Sequence, residues 1–389
     1  MPSRTHASLP RWGGSTLAQP ISLSMIDFNA MAALLERRFK EETGRPWEDS
    51  AFERFAHEAF TNQFEHCDPY RALCMRRGVT PETVSAWTHI PSVPATAFKY
   101  FDFVSHPRGV VEKVFVTSGT TQGSHRRGRH AVPRLDLYRA SCPGPFRRAL
   151  LPDLAEIDVL SLIPSSDESP ESSLSFMADT VAARFGAGVE WLVDGQGRWI
   201  EEVEGPFGRA RTKGSPVLVL GTALSFVHLM ERTAGLDLSL PPGSRVMETG
   251  GFKGIRRNIT RSELHDGIID SFGIAPEAVV NEYGMTELLS QLYEPVLTEG
   301  VASAGGHVSP PWLAVRALDA TTLREVPEGE PGILCFFDLA NLGSVSHVLT
   351  EDVGTLRDGR VHLQGRTEGS EPRGCSRAMD ELMTATARP

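Results

Sequence analysis

From about residue 110 to residue 310, short apolar runs alternate with glycine-bearing turns and helical patterns, and no other feature restricts the fold as strongly. The runs are residues 110–116, 157–163, 217–220, 245–247 and 279–280. The third leads into a helical stretch through Phe226, Leu229 and Met230. After the fourth, Ile255, Ile259, Leu264, Ile268 and Phe272 fall on one face of a helix expected over residues 255–272. Strands interleaved with helices in this way predict an α/β sheet.

The flanking regions have a different texture. Met31, Leu34, Leu35 and Phe39 recur at helical spacing, as do Phe52, Phe55, Ala56, Ala59, Phe60 and Phe64. Thr80-Pro81-Glu82 has the residues of a helix start, with Thr as cap and Pro in the first turn. Ile90-Pro91-Ser92-Val93-Pro94 is expected to run extended, since a residue before proline is pushed out of the helical region. Beyond residue 310, short runs at 333–337, 347–349 and 361–363 and turns at 328–332 and 357–360 predict β structure.

Composition narrows the function. Of 389 residues 40% are hydrophobic, enough for a large core, and the net charge of −10 argues against a nucleic-acid partner. The local exception is the basic run His125-Arg126-Arg127-Gly128-Arg129-His130. The five cysteines, Cys67, Cys74, Cys142, Cys335 and Cys375, form no CxxC pair, so neither a zinc site nor a disulfide framework is indicated. No run approaches the roughly 20 apolar residues that cross a bilayer. The first 25 residues carry Arg4 and Arg11 but no apolar h-region. They are expected to be a disordered leader, or an over-long start before Met25, on a cytoplasmic protein.

Four segments carry the chemistry. Thr117-Ser118-Gly119-Thr120-Thr121-Gln122-Gly123 follows a strand, and its glycines and hydroxyls suit a concave phosphate site. It lacks the lysine of a Walker A loop, and a flexible polar loop would have the same composition. Glu282-Tyr283-Gly284-Met285-Thr286-Glu287 offers a flat ring, a hydroxyl and a carboxylate in sequence. Glu287 suits Mg²⁺, which takes few carboxylates together with phosphate oxygens. A helix start capped by Thr286 would read the same way. Thr350-Glu351-Asp352-Val353-Gly354 places a carboxylate beside a strand, where it can accept the hydroxyls of a ribose; an acidic hairpin tip is the alternative. Gly250-Gly251 permits close approach of a flat ligand, or simply a tight turn.

In this order, and with Gly365-Arg366 after them, the segments resemble the adenylate-forming superfamily of acyl-CoA ligases, luciferases and peptide-synthetase adenylation domains. Ile90-Pro91-Ser92-Val93-Pro94 with Ala97-Phe98-Lys99, the stretch Met247-Glu248-Thr249-Gly250-Gly251-Phe252-Lys253-Gly254, and Glu371-Pro372-Arg373-Gly374-Cys375-Ser376 resemble the acyl-protein synthetase (LuxE) family. That similarity runs from about residue 50 to residue 383.

The resemblance implies the large N-terminal domain of that superfamily, with layered sheets and helices and a small β-rich subdomain. It implies that Thr117, Ser118, Gly119, Thr120, Thr121 and Gly123 wrap the phosphates of ATP. Gly250, Gly251 and Tyr283 would meet the adenine, Thr286 the α-phosphate, Glu287 the Mg²⁺, and Asp352 with Arg366 the ribose. Only 23 residues follow Arg366, so the superfamily's small C-terminal domain and its catalytic lysine are expected to be missing. In the acyl-protein synthetases a cysteine in this C-terminal context accepts the acyl group. Cys375 is that candidate here, with Arg373 and Arg377 beside it to favour a thiolate, and an incidental thiol in a loose tail is the alternative.

The expected organisation is a leader (1–25), a helical part (26–105), an α/β nucleotide-binding core (106–310), a β-rich subdomain (311–366) and a tail carrying Cys375 (367–389). The expected activity is formation of an acyl-AMP from a fatty or other carboxylic acid, transfer to Cys375, and delivery to a partner such as an acyl reductase. An acyl-CoA ligase and a non-catalytic nucleotide-binding scaffold are the rivals. The sequence leaves the acid unidentified. Gly221, Thr222, Ala223 and Phe226 are candidates to line its pocket, although an apolar helix face is equally the mark of core.

Overall fold

The structure is a computed structural model, and it describes residues 27–41, 44–118, 126–250, 259–366 and 373–387. The helical part opens with α1 (Phe28–Lys40), α2 (Asp49–His66) and α3 (Asp68–Arg76). Asp27 caps α1 by accepting from the Asn29 amide at 3.2 Å. The apolar stripes read from the sequence point inward: Met31, Leu35, Phe39, Phe52, Phe55 and Phe60 are all buried. They pack with Trp312, Phe336 and Phe337, so the first helices and the late strands share one core. Thr80-Pro81-Glu82 does not start a helix. It forms a single turn closed by the Thr83 amide on Thr80 O, with Thr83 Oγ1 accepting from the Thr80 amide at 2.9 Å. No apolar stripe follows to pay for a helix there.

After the extended strand β1 (Val93–Pro94) comes a hairpin, β2 (Lys113–Val116) and β3 (Arg129–Val132). The strand expected over 110–116 is thus shorter, and it pairs only with β3, outside the main sheet. Helices α4 (Leu135–Ser141) and α5 (Pro143–Leu150) lead into the α/β part. Its elements are β4 (Ile157–Ser161), α6 (Ser173–Phe185), β5 (Gly186–Trp191), α7 (Glu204–Lys213), β6 (Val217–Thr222), α8 (Ala223–Arg232), β7 (Arg245–Thr249), α9 (Arg261–Phe272), β8 (Val279–Tyr283) and β9 (Leu292–Tyr293). The strands lie in the order β5-β4-β6-β7-β8-β9, parallel except for β9.

Both faces of this sheet are covered, which is why its strands read as continuous apolar runs. Leu218, Leu220, Met247 and Val280 enter the large core. Val217, Val219, Val246 and Val279 enter a second core with Leu264, Ile268 and Phe272 of α9. Phe226 belongs to this second core and is fully buried, so in this arrangement it is core. Helix α9 starts at Arg261 behind a capping box of Thr260 and Glu263, and it ends at Gly273 with φ 62°. Ile255, placed by the sequence in the same helix, lies outside the described residues.

The remaining elements are α10 (Val296–Glu299), β10 (Gly306–His307), β11 (Leu313–Leu318), β12 (Gly332–Asp338), β13 (His347–Arg357), β14 (Arg360–Arg366) and α11 (Arg373–Thr386). A second sheet has the order β10-β14-β13-β12-β11, and β1 adds to it parallel to β13. Asp358 and Gly359, with φ of 49° and 64°, make the tight turn between β13 and β14. The C-terminal segment described is a helix rather than a loose tail. Leu382 of α11 is fully buried, Arg77 at the end of α3 bonds Glu381 at 2.8 Å, and the Gly374 amide donates to Ala320 O at 2.8 Å. Among the described residues no helix is long and apolar enough to cross a membrane.

Candidate active site

In a parallel sheet, ligands collect outside the carboxyl ends of the strands. Here β7 ends at Thr249, and Gly250 follows with φ 90°, a conformation that side chains strain to adopt. Next to it β8 ends at Tyr283. The Tyr283 ring stacks on Phe336 at 5.6 Å, and its hydroxyl donates to Asp352 Oδ2 at 2.8 Å. Burial holds that hydroxyl well above its ordinary pKa, so it stays a donor.

Asp352 reaches this position because its strand bulges. Ile333 pairs with Val353 and Cys335 with Leu349, so Thr350, Glu351 and Asp352 stand opposite Leu334 alone. Thr350 Oγ1 donates to Leu334 O at 2.8 Å and accepts from the Asp352 amide at 3.0 Å, which pins the bulge. The segment therefore lies inside β13, and the hairpin tip is elsewhere, at Asp358-Gly359. Arg366 Nε donates to Asp352 Oδ1 at 2.6 Å. Burial pushes the Asp352 carboxyl up to about 6, against the hydrogen bond from Tyr283. The Arg366 ion pair favours the charged form as well.

Thr117 continues the hairpin: its amide donates to Gly128 O, and its Oγ1 accepts from the Gly128 amide at 2.9 Å. Gly128 is closely packed there. A Cβ on it would stand 3.0 Å from Thr117 Cγ2 and 3.5 Å from Glu287 Oε1. The base of the hydroxyl-rich loop and Glu287 are thus neighbours. Thr286 and Glu287 lie in an irregular turn between β8 and β9 and start no helix. His130 Nδ1 lies 2.7 Å from Thr286 O, and Asn341 Nδ2 donates to Glu287 O at 2.8 Å. Burial raises the Glu287 carboxyl to about 7; Asp352 and Glu351 add to the rise, and Lys99 opposes it.

Of the residues singled out in the sequence, Tyr283, Thr286, Glu287, Asp352, Arg366 and Thr117 come together, with Gly250 just past the end of β7, the strand beside β8. Ser118 is described and exposed. Gly119, Thr120, Thr121, Gly123 and Gly251 lie outside the described residues. Cys375 sits in an apolar setting of its own. It is 1% exposed in an apolar cluster with Leu318, Ile333, Cys335 and Leu349, and its thiol donates to Thr350 O at 3.4 Å. Arg377, expected to favour a thiolate, is exposed, and the Arg373 side chain is not described.

Residues that no motif announced hold the site together. Asp338 is fully buried, accepts from the amides of Leu289 and Ala340 at 2.9 Å and from Ser290 Oγ at 2.7 Å, and so fixes the chain just after Glu287. The described part of the basic run makes local contacts. Arg127 bonds Thr117 O at 2.6 Å, Arg129 bonds Asp102 at 3.2 Å, and His130 is buried under Phe98.

Two covered sheets, with a carboxylate of the second reaching a tyrosine at the strand end of the first, define a class. The chain has the fold of the adenylate-forming ligases. It superposes on 2-hydroxyisobutyryl-CoA ligase in an open conformation with 2-HIB-AMP and CoA at a TM-score of 0.62, with 17% identity, over 84% of this chain and 77% of that one. With the same ligase in the postadenylation state with R3-HIB-AMP the TM-score is 0.63, with 16% identity, over 85% and 70% of the two chains.

Within that class, the sequence model of the family described as acyl-protein synthetase, LuxE, matches residues 42–384, and the chain belongs to this family. It is 23% identical over 341 residues to a long-chain-fatty-acid–luciferin-component ligase of Vibrio harveyi, covering 84% of this chain and 86% of that protein. To the Aliivibrio fischeri protein of the same description it is 21% identical over 346 residues, covering 85% and 88%.

Proposed function

We propose that the chain uses ATP to activate a carboxylic acid as an acyl-adenylate and then holds the acyl group as a thioester on Cys375. The observation that carries this reading is the Asp352 carboxylate, fixed by Tyr283 and Arg366 at the end of β8. A carboxylate has about four acceptor sites. Tyr283 and Arg366 use two, which leaves acceptors for the two hydroxyls of a ribose. Gly250, Gly251 and the open face of Tyr283 receive the base. The loop from Thr117 and Ser118 through Gly119, Thr120, Thr121 and Gly123 takes the phosphates, and Thr286 meets the α-phosphate.

Among the described residues no three metal-ligating side chains cluster. Glu287, next to the base of the hydroxyl-rich loop, would hold Mg²⁺ together with phosphate oxygens and water. Magnesium there would neutralise charge on the departing pyrophosphate.

In the first step a carboxylate oxygen bonds to the α-phosphorus and pyrophosphate leaves; catalysis is positioning and charge stabilisation. In the second, Cys375 Sγ bonds to the acyl carbon, the bond from that carbon to the AMP phosphate oxygen breaks with its electron pair leaving on AMP, and the thiol proton passes to solvent. Cys375 is enclosed, so α11 must leave its seat for this step. The relatives' descriptions name long-chain fatty acids, which makes these the first acids to try. An acyl-accepting protein such as a reductase would then discharge the thioester, and the cytoplasm is the proposed setting.

ATP–pyrophosphate exchange tests the first step. Exchange is expected with at least one acid in a panel of fatty, aromatic and amino acids, and none across the panel would overturn the reading. Release of free acyl-CoA on adding CoA would instead support an acyl-CoA ligase.

A further inference from the structure

Three side-chain contacts fasten residues 98–102 to the hairpin β2–β3. Phe98 meets His130 edge-on at 5.5 Å, the Arg126 guanidinium lies 5.4 Å from the Tyr100 ring, and Arg129 Nε donates to Asp102 at 3.2 Å. Lys99 sits between the first two, as the last residue of the short turn Ala95–Lys99. Phe98 is buried, Tyr100 is 46% exposed, and Lys99 is half-buried between them. Through His130, whose Nδ1 touches Thr286 O, this segment is one contact away from the Thr286-Glu287 turn. The Lys99 charge is near enough to Glu287 to favour its carboxylate against burial.

Among the described residues, three other cations around the site are already committed. Arg127 is spent on Thr117 O and Glu171, Arg129 on Asp102, and Arg366 on Asp352. Among the described residues, Lys99 makes no ion pair at bonding distance. It is a cation carried beside the Thr286-Glu287 turn by its neighbours in the chain, and among the described residues its ammonium makes no hydrogen bond.

We propose that Lys99 is a catalytic cation of the adenylation step, its ammonium set against the triphosphate between the β2–β3 hairpin and the Thr286-Glu287 turn. The inference rests on the adenylation reading given above. In that step the bond from a carboxylate oxygen to the α-phosphorus forms. The bond from the α-phosphorus to the α–β bridging oxygen breaks, and its electron pair departs on pyrophosphate. No proton is transferred, so a helpful side chain need only present fixed positive charge where negative charge grows. A flexible ammonium with three donors can follow the bridging oxygen as it separates.

The test is pyrophosphate exchange by wild type, Lys99→Met and Lys99→Arg, with ATP affinity and melting measured on each. Absence of exchange in wild type would overturn the adenylation reading and the role of Lys99 with it, whereas a fault in the Lys99 assignment alone shows in the variants. Where wild type exchanges, Lys99→Met is expected to lower kcat about 100-fold, the scale of losing one stabilising group at a developing anion. Its KM for ATP should stay within about threefold and its melting should be unchanged, because binding shared by ground and transition states moves KM instead. Lys99→Arg should recover part of the rate. Exchange by Lys99→Met within about threefold of wild type overturns the proposal, as does a loss confined to KM. Equal losses in both variants with lowered melting would assign Lys99 a purely structural part and overturn it too.

Discussion

Strand β13 carries two regions of opposite character a few residues apart. At Asp352 its bulge enters a polar site assembled from β8, β13 and β14, in which a tyrosine, a carboxylate and an arginine are already bonded to one another. At Leu349 and Thr350 the same strand receives Cys375 into an apolar seat closed by α11. On the reading proposed above, the donors and acceptors around Asp352 are aimed before a nucleotide binds. The second conceals the group it is proposed to present. On the proposed reading, activation would proceed in the structure as it stands, whereas capture of the acyl group would wait on a movement of α11.

The sharpest way to break this division is Cys375→Ser. Labelling of the protein by a radioactive acid, sensitive to hydroxylamine, is expected to vanish, while pyrophosphate exchange continues at the wild-type rate. Persistent labelling of that variant would remove Cys375 from the reaction.

The polar region should also respond to pH through its buried carboxyls. Burial raises Glu282 from 4.5 to about 7, with Thr249 donating to it and Glu248 adding to the rise. The folded state then holds this proton more tightly than the unfolded state. Between about pH 4.5 and 7 the native chain remains protonated where the unfolded chain has ionised, so stability falls as pH rises through that window. The contribution is about 3 kcal/mol at most, taking roughly 1.4 kcal/mol per unit. Glu282→Gln should flatten the urea-unfolding profile between pH 5 and 7. Parallel profiles for the two proteins would mean that Glu282 ionises as it does in the unfolded chain.

Asp352→Asn tests the same region through binding. It keeps an acceptor for Tyr283 but turns a donor or a neutral oxygen toward Arg366. Loss of one charge-assisted hydrogen bond is worth about 2 kcal/mol, or some thirtyfold in the KM for ATP. An unchanged KM would separate Asp352 from nucleotide binding.

The polar region was also the more legible of the two in the sequence. Strands buried on both faces, such as those holding Val219 and Val246, announce themselves as apolar runs. Strand β5 did not, because Gly186-Ala187-Gly188-Val189-Glu190-Trp191 is a half-exposed edge with no apolar run. Tyr283, Glu287 and Asp352 stood out because their chemistry is concentrated in short segments. The supporting parts of Asp338, Asn341 and His130, the last read only as one of a basic run, were missed since each acts from a distant element, and only folding brings it to the turn it supports. The seat of Cys375 was hidden for a similar reason. Leu318, Ile333 and Leu349 come from three strands, and nothing in the local sequence Arg373-Gly374-Cys375 says that they enclose it.

That seat can be loosened without touching the nucleotide region, and this is the finest test of the contrast. A methyl group on Gly374 would stand 2.6 Å from Leu323 Cδ2 and 2.8 Å from the backbone oxygen of Ala320. The leucine could yield, but the carbonyl belongs to the turn that accepts the Gly374 amide, and Leu323 already holds a φ of 56°. Gly374→Ala should therefore lift the first turn of α11 and raise the fraction of time that Cys375 is open. If the local opening becomes easier by about 1.4 kcal/mol, alkylation of Cys375 by iodoacetamide should quicken about tenfold. Background reaction should be low, because Cys67, Cys74, Cys142 and Cys335 are all buried. Pyrophosphate exchange should be unchanged, since none of the contacts around Asp352, Tyr283 and Glu287 involves Gly374. Faster alkylation with unaltered exchange would show the two regions to be separable. A parallel loss of exchange would show instead that the bulge at Thr350 transmits the position of α11 to Asp352, and unchanged alkylation would mean that some other contact shelters the thiol.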